Sequence, residues 1–266
     1  LSALITLLTD FGDADGFVGA MRGVLKTRAP QSELVDLAHH VPRGDVSKAS
    51  RVLARSAVCF PRQTVHLVVV DPGVGSARRA LVMRLEGHLF VAPDNGVLDG
   101  VCDVLGVEGT TREVKHHALF APTVSPTFHG RDVFAPTAGA LAAGFDFDAV
   151  GPLVVDRVHL PTRVVQRVGA EWRGQVVEQD QYGNLITNLK SADVGPSVCI
   201  RFGSHCLMGP RASYSSVASG GAVLVVGSAG TLEIAVRDGS AANHFGIDAG
   251  AEVSCSRVDE ETQSAP

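Results

Sequence analysis

The sequence predicts an α/β first domain with a layered, largely parallel sheet, followed by a smaller, mainly antiparallel β domain. Three observations carry this. Up to about residue 155, short apolar runs alternate with stretches of helical periodicity. One of those runs, Val65–Val70, is a nearly continuous β-branched segment, as expected of a strand buried on both faces. Beyond a Gly- and Pro-containing stretch from Gly151 to Pro161, helical periodicity fades and short β-rich runs follow, separated by Gly, Ser, Pro and Asn.

Taken in order, Leu4–Leu8 reads as the first strand. It is short, lacks a basic flank and ends in Thr9-Asp10, which does not fit a signal peptide. Gly16–Arg28 places Phe17, Met21, Val24 and Leu25 on one helical face. Glu33–Leu37 is a second strand, and Asp45 is an N-cap candidate ahead of the helical spacing Val46, Ala49, Val52 and Leu53. Strand, helix, strand, helix and strand point to a parallel layered sheet. Val133–Ala143 has helical character. In the second half Gly174–Gln179, Ser197–Phe202, Ala222–Val226, Thr231–Val236 and Ala251–Cys255 are strand candidates. The expected organisation is an α/β domain over 1–155, a linker over 156–161, a β domain over 162–258 and a flexible acidic tail over 259–266.

The bulk composition excludes several classes. With 45% apolar and 19% charged residues, the chain is an ordinary globular one with enough length for two modest cores. The formal net charge is −5 and the basic residues are interspersed, so a nucleic-acid partner is not expected. No apolar run approaches the ~18 residues of a membrane span. Five cysteines, an odd set without a CxxC pair, fit neither a disulfide framework nor a cysteine zinc site, and a reduced, cytoplasmic setting follows as the default. His39-His40 and His116-His117 are adjacent pairs, whereas metal ligands on one face need two- or four-residue spacing; no metal is expected.

Candidate chemistry gathers where apolar strands end, because ligands of open α/β sheets collect beyond the carboxyl ends of strands. Asp71-Pro72-Gly73-Val74-Gly75-Ser76-Ala77-Arg78 follows the Val65–Val70 run. Its glycines complete neither a phosphate-binding loop nor a dinucleotide fingerprint. Asp71 could serve chemistry, or it could cap a turn and pair locally with Arg78. Asp10, at the end of the first strand, could accept from two neighbouring hydroxyls, as a ribose diol requires, or form an Asx-turn. In Phe128-His129-Gly130-Arg131-Asp132, His129 stands at a helix entrance where a general base or proton shuttle can act, while Arg131 and Asp132 fit local pairing and capping. Asp180 to Asn188, Ser228 and Tyr214 are polar turn residues able to read an amino-acid zwitterion or a purine edge, and equally ordinary as hairpin tips.

Together, Thr9-Asp10-Phe11-Gly12, Asp71-Pro72-Gly73-Val74-Gly75, Phe128-His129-Gly130-Arg131-Asp132, Tyr182-Gly183-Asn184-Leu185-Ile186-Thr187-Asn188 and Leu232-Glu233-Ile234-Ala235-Val236 resemble the S-adenosylmethionine hydroxide adenosyltransferases, relatives of the bacterial fluorinase and chlorinase. Each block alone is unspecific; five in the family's order are specific. The resemblance implies a β-barrel-like second domain and a homotrimer with sites between subunits. It also implies hydrolysis of S-adenosyl-L-methionine to adenosine and L-methionine, without a cofactor. It gives Asp71, Arg78 and His129 the catalytic set and Asp10 the ribose hydroxyls. Asp180 and Ser228 would take the methionine ammonium and carboxylate, Asn184 the adenine edge, and Tyr214 a stacking face. Phe128, Gly130 and Val236 are further implied substrate contacts. Gly44 departs from relatives that place a larger side chain against the adenosine.

Halide-using relatives carry Tyr and Thr where Asp71 and Val74 stand, and Tyr-Ser where His129-Gly130 stands. An anionic Asp would repel a halide, and Val74 and Gly130 offer it no hydroxyl, so water is the favoured nucleophile. The alternatives are a halide adenosyltransferase and a non-catalytic S-adenosylmethionine or adenosine binding module, which would not need Asp71, Arg78 and His129 together. An unrelated carboxylate or metal hydrolase would respond to chelators.

Overall fold

The computed structural model describes residues 3–161 and 164–258. The expected tail over 259–266 and the start of the expected second domain at 162 lie outside them. The chain divides into two compact units, 1–160 and 161–266.

The first unit is built from β1 (Leu4–Thr9), α1 (Phe17–Arg28), β2 (Glu33–Ala38), α2 (Val46–Ala57), β3 (Val65–Val69), β4 (Ala80–Leu85), β5 (His88–Pro93), α3 (Asp99–Leu105), β6 (Thr110–Glu113) and α4 (Ala135–Ala142). Its sheet has the order β2-β1-β3-β5-β4-β6. β1, β2, β3 and β5 run parallel, and β4 is inserted antiparallel between β5 and β6. The alternation of β3 sorts the core into two layers. Leu67 and Val69 pack with Met21, Leu25, Phe134 and Ala138 on one face, while Val68 and Val70 pack with Leu53, Phe90 and Val101 on the other. Helices therefore cover both faces, as the unbroken Val65–Val70 run requires. The Lys48 amide donates to Asp45 Oδ1 at 2.8 Å, the N-cap expected for α2.

Three details differ from the sequence reading. Phe17 is 43% exposed and turns away from the core, whereas Val18, Met21 and Leu25 are buried. The helix expected over Val133–Ala143 begins instead as a π-helical turn, Gly130–Phe134, before α4. Pro136 accounts for this: it has no N–H to offer the preceding turn, and the Asp132 carbonyl accepts instead from the Ala121 amide at 2.8 Å. The expected linker over 156–161 and the residues before it make ordered contacts with the first unit. Arg157 is buried and bonds Asp99 and Glu108, and the Val154 amide donates to the Thr111 carbonyl at 2.9 Å.

The second unit contains β7 (Gln166–Val168), β8 (Glu171–Gln179), β9 (Leu185–Lys190), α5 (Ser191–Val194), β10 (Val198–Phe202), β11 (His205–Gly209), β12 (Ala222–Val226), β13 (Thr231–Val236), α6 (Ala241–Phe245) and β14 (Glu252–Arg257). The strands form one antiparallel sheet ordered β11-β10-β14-β8-β9-β13-β12, with β7 on β8. The sheet curls into a nearly closed barrel. Its two ends approach at Arg211, whose amide donates to the Leu224 carbonyl at 2.8 Å. Gly209 permits this, since a Cβ there would lie 3.0 Å from Leu224 Cβ. Phe202, Leu224, Ile234 and Val253 fill the interior. Against the expectation of five reduced cysteines, Cys199 and Cys206 are joined as a disulfide across the β10–β11 hairpin; Cys59, Cys102 and Cys255 are free. Among the described residues no helix is long and apolar enough to cross a membrane.

A buried histidine crosses the first sheet. His66 stacks on Phe90 at 4.8 Å and Nδ1 shares a 2.8 Å hydrogen bond with Thr6. Burial, then the neighbouring His88, lowers its pKa from 6.5 to about 3. The unfolded chain takes up this proton below pH 6.5 and the folded chain holds it off until about 3. Its contribution is therefore present above 6.5 and lost as pH falls through that window. Urea unfolding across this range should show stability falling with acidification, and His66→Gln should flatten that slope.

Candidate active site

β3 stops because Asp71 is followed by Pro72, which has no N–H for the ladder. The loop that follows folds back so that Arg78 meets Asp71. Arg78 Nε donates to Oδ1 at 2.9 Å and Oδ2 at 3.0 Å, and Nη2 also bonds Oδ2. Both side chains are largely buried, 5% exposed for Asp71 and 11% for Arg78. Local pairing and a candidate catalytic position thus coexist in the same residues. Gly75, at φ +79°, passes so close to the Pro126 carbonyl that a Cβ would lie 2.6 Å away.

His129 joins this pair from the head of the π-helical turn. Arg78 Nη2 lies 2.7 Å from His129 Nδ1. A guanidinium has donors only, so Nδ1 accepts and the imidazole is neutral with its proton on Nε2. Burial and then the Arg78 charge lower the His129 pKa below 6.5, in keeping with the neutral ring. Phe134, one turn on, lies under Arg78, with its ring centroid 5.0 Å from the guanidinium carbon. Asp71, Arg78 and His129 are thus one hydrogen-bonded group in which the arginine is the middle member.

Gly130 is buried beside it. A Cβ there would stand 3.1 Å from Met21 Sδ, 3.2 Å from the Phe128 ring and 3.3 Å from the Phe11 ring. Phe11, Phe17 and Phe128 pack edge-on or tilted, with centroids 5.1–5.9 Å apart. Arg131 and Asp132 pair with each other as expected. The Asp132 carboxylate then accepts from the Ser125 amide at 2.8 Å, so it organises the preceding loop and caps no helix.

Asp10 follows β1, the neighbour of β3 in the sheet. Its Oδ2 accepts from the Gly44 amide at 2.8 Å. Gly44 has φ +71°, a conformation that favours glycine, so the residue that departs from the family pattern here acts through its backbone. Behind Asp10, the Thr9 hydroxyl and His39 Nδ1 are 2.9 Å apart, and the Gly12 amide donates to the His39 carbonyl at 2.7 Å.

In the second unit, Asp180 closes the β8–β9 turn. Oδ1 accepts from the amides of Tyr182 and Asn184, both at 2.9 Å, and Oδ2 from Asn184 Nδ2 at 2.9 Å. The turn reading thus holds, and one carboxylate lone pair stays open for a ligand. Asn184 is buried with its amide oriented by Asp180. Tyr214 donates to the buried Glu233 at 3.1 Å; burial and then that carboxylate push its pKa up to about 12. Ser228 is exposed in the β12–β13 turn, and Val236 is buried at the end of β13. A cavity of about 370 Å³ opens elsewhere in this unit, against Val165, Arg167, Trp172, Asp193 and Arg257; none of the expected residues lines it. Among the described residues no group of three or more His, Cys, Asp or Glu is placed to hold a metal ion.

The model of the SAM hydroxide adenosyltransferase N-terminal domain matches residues 5–151, and that of the C-terminal domain matches 174–254. The chain belongs to the SAM hydroxide adenosyltransferase family. A relative named (R)-S-adenosyl-L-methionine hydrolase, from Salinispora arenicola, is 37% identical, covering 92% of this chain and 95% of its own. A fluorinase from Actinoplanes sp. is 26% identical over 72% of this chain and 73% of its own. A crystal structure of an uncharacterized conserved protein from Thermotoga maritima superposes with a TM-score of 0.87 at 36% identity, covering 95% of this chain and all of that one.

Within this family member, several residues at the site escaped the sequence reading. Asp94 and Asn95 follow β5 as Asp71 follows β3, and the strand-end rule would have found them had β5 been placed. Glu233, which accepts from Tyr214, had no expected role in Leu232-Glu233-Ile234-Ala235-Val236. The Arg78–His129 bond makes a direct prediction. Arg78→Gln removes the positive charge and frees Asp71, and both changes favour imidazolium. The ¹⁵N-NMR titration of His129 should therefore move to higher pH, and the preference for a proton on Nε2 should weaken.

Proposed function

We propose that this chain hydrolyses S-adenosyl-L-methionine to adenosine and L-methionine, with the R configuration at sulfur as the substrate form. The observation that carries the reading is the Asp71–Arg78–His129 group at the end of β3. The names of relatives at 37% identity support the substrate and its configuration, since a sulfonium with three different substituents is a stereocentre. Fluorinases match with lower identity, and an anionic Asp71 suits water better than halide.

In the proposed reaction a water oxygen forms a bond to the ribose 5′ carbon as the carbon–sulfur bond breaks. The bonding pair leaves with sulfur, turning a cation into a neutral thioether, so the leaving side needs no acid. Activation falls on water, with a pKa near 15.7. His129, with its free N–H at Nε2, donates to the water oxygen and orients a lone pair toward carbon. Asp71 keeps an open lone pair on its oxygens and receives the proton; Arg78 holds both partners in place. No cofactor enters this scheme.

Asp10 takes the ribose hydroxyls, Asp180 and Ser228 the methionine ammonium and carboxylate, Asn184 the adenine edge and Tyr214 its stacking face, with Phe128, Gly130 and Val236 as further substrate contacts. We also infer a homotrimer whose sites are completed by neighbouring subunits; the resemblance supports it, and sedimentation tests it. A cytoplasmic setting completes the proposal.

Purified protein incubated with each sulfonium diastereomer should release adenosine and methionine in equal amounts, faster from the R form. Asp71→Asn should lower kcat by about 10²–10⁴-fold with KM little changed. Activity should be level above pH 6.5 and fall at lower pH, because protonating His129 breaks its bond to Arg78. Turnover that depends on chloride and yields a 5′-chloro nucleoside would point to halide transfer, and tight binding with intact ligand to a binding module.

A further inference from the structure

The loop from Asp71 to Arg78 is held at both ends by two consecutive residues that the proposed chemistry does not use. Asn95 Nδ2 donates to the carbonyl of Val70, the residue immediately before Asp71, at 2.9 Å. The Asn95 Oδ1 accepts from the Val97 amide at 3.2 Å, which leaves the amide group one orientation. Asp94 grips the other end. Its Oδ2 accepts from Nε of Arg79, the residue immediately after Arg78, at 2.7 Å, and its amide donates to the Arg79 carbonyl at 3.0 Å. The Asp94 side chain is only 3% exposed, and its second oxygen accepts from the Val158 amide at 2.8 Å. Both carboxylate oxygens are thus occupied, and the carboxylate is fixed in plane.

This arrangement is dictated by topology. β3 and β5 are parallel neighbours, so their carboxyl ends emerge side by side. β4 returns antiparallel from the loop to pair with β5, with Ala80 opposite Pro93. The dipeptide after β5 therefore faces the residue entering the loop and the residue leaving it. Gly96 completes the turn at φ +89°, where a Cβ would lie 2.6 Å from the Leu160 amide nitrogen.

We propose that Asp94 and Asn95 are positioning residues for the Asp71–Arg78 pair, pinning the two ends of the loop so that Arg78 reaches His129. They do not touch the reacting atoms. The inference rests on the hydrolase reading for its effect on turnover, but its geometric content stands apart from that reading.

The test compares Asn95→Asp, which keeps the acceptor for Val97 and loses the donor to Val70, with Asp94→Asn, which keeps the bond to Val158 and weakens the hold on Arg79. Asp156→Asn is the control, since Asp156 is an exposed outer partner of Arg79. Misplacing a catalytic group by about 1 Å costs on the order of a hundredfold, so Asn95→Asp and Asp94→Asn should lower kcat about ten- to a hundredfold with KM nearly unchanged. The ¹⁵N signals of His129 should move in the same two variants as its bond to Arg78 loosens, and Asp156→Asn should leave both readouts as they are. A drop in Tm with kcat and His129 signals unaltered overturns the proposal, as does a loss of kcat without movement of those signals. If the wild-type protein turns over no S-adenosylmethionine, the hydrolase reading fails and the His129 signals alone decide: movement in Asn95→Asp supports the positioning role, and no movement overturns it.

Discussion

The guanidinium of Arg78 lies between a carboxylate and an imidazole, and the chemistry open to both follows from that placement. It presents N–H groups to Asp71 and to His129 and accepts nothing in return. The carboxylate is held at both oxygens, and the imidazole is obliged to accept through Nδ1 and to carry its proton on Nε2. A single contact of 2.7 Å thus leaves the Nε2 proton of His129 as a donor, the role that the proposed reaction gives it, with Asp71 as the proton acceptor. Removing one partner of such a largely buried pair leaves an uncompensated charge, which is why the group is sensitive as a unit.

The rest of the first unit serves that contact. Three adjacent parallel strands, β1, β3 and β5, are each followed within two residues by an aspartate: Asp10, Asp71 and Asp94. The first is held by the Gly44 amide and the second by Arg78, while the third is spent on Arg79 and Val158. From the opposite side the π-helical turn delivers His129 at its head and Phe134 beneath Arg78. Pro136 shapes that turn by withholding a hydrogen bond. The irregularity that a helix-period reading smooths over is what aims the histidine.

The parts legible in sequence were those governed by local rules. The β-branched Val65–Val70 run reported a strand covered on both faces, and Asp45 reported a helix start, because each depends on a few neighbouring residues. The strand-end principle found Asp10 and Asp71. It missed Asp94 because no strand was read over residues 80–93, so no strand end was marked there. The bond from Arg78 to His129 spans 51 residues, and nothing in spacing announces it. Gly44 and Gly130 read as missing side chains; the structure shows a φ of +71° in one and three side chains within 3.3 Å of a would-be Cβ in the other. The family resemblance supplied what periodicity could not, namely the substrate and the barrel-like second unit.

The claim at the centre of this account is that the oxygen bonded to the ribose 5′ carbon comes from solvent water. Turnover of (R)-S-adenosyl-L-methionine in ¹⁸O-labelled water, with mass analysis of the adenosine, measures this directly. The account predicts one label per adenosine, located on the 5′ oxygen. Adenosine released without label at that position, or a 5′-halo nucleoside formed in its place, would contradict it.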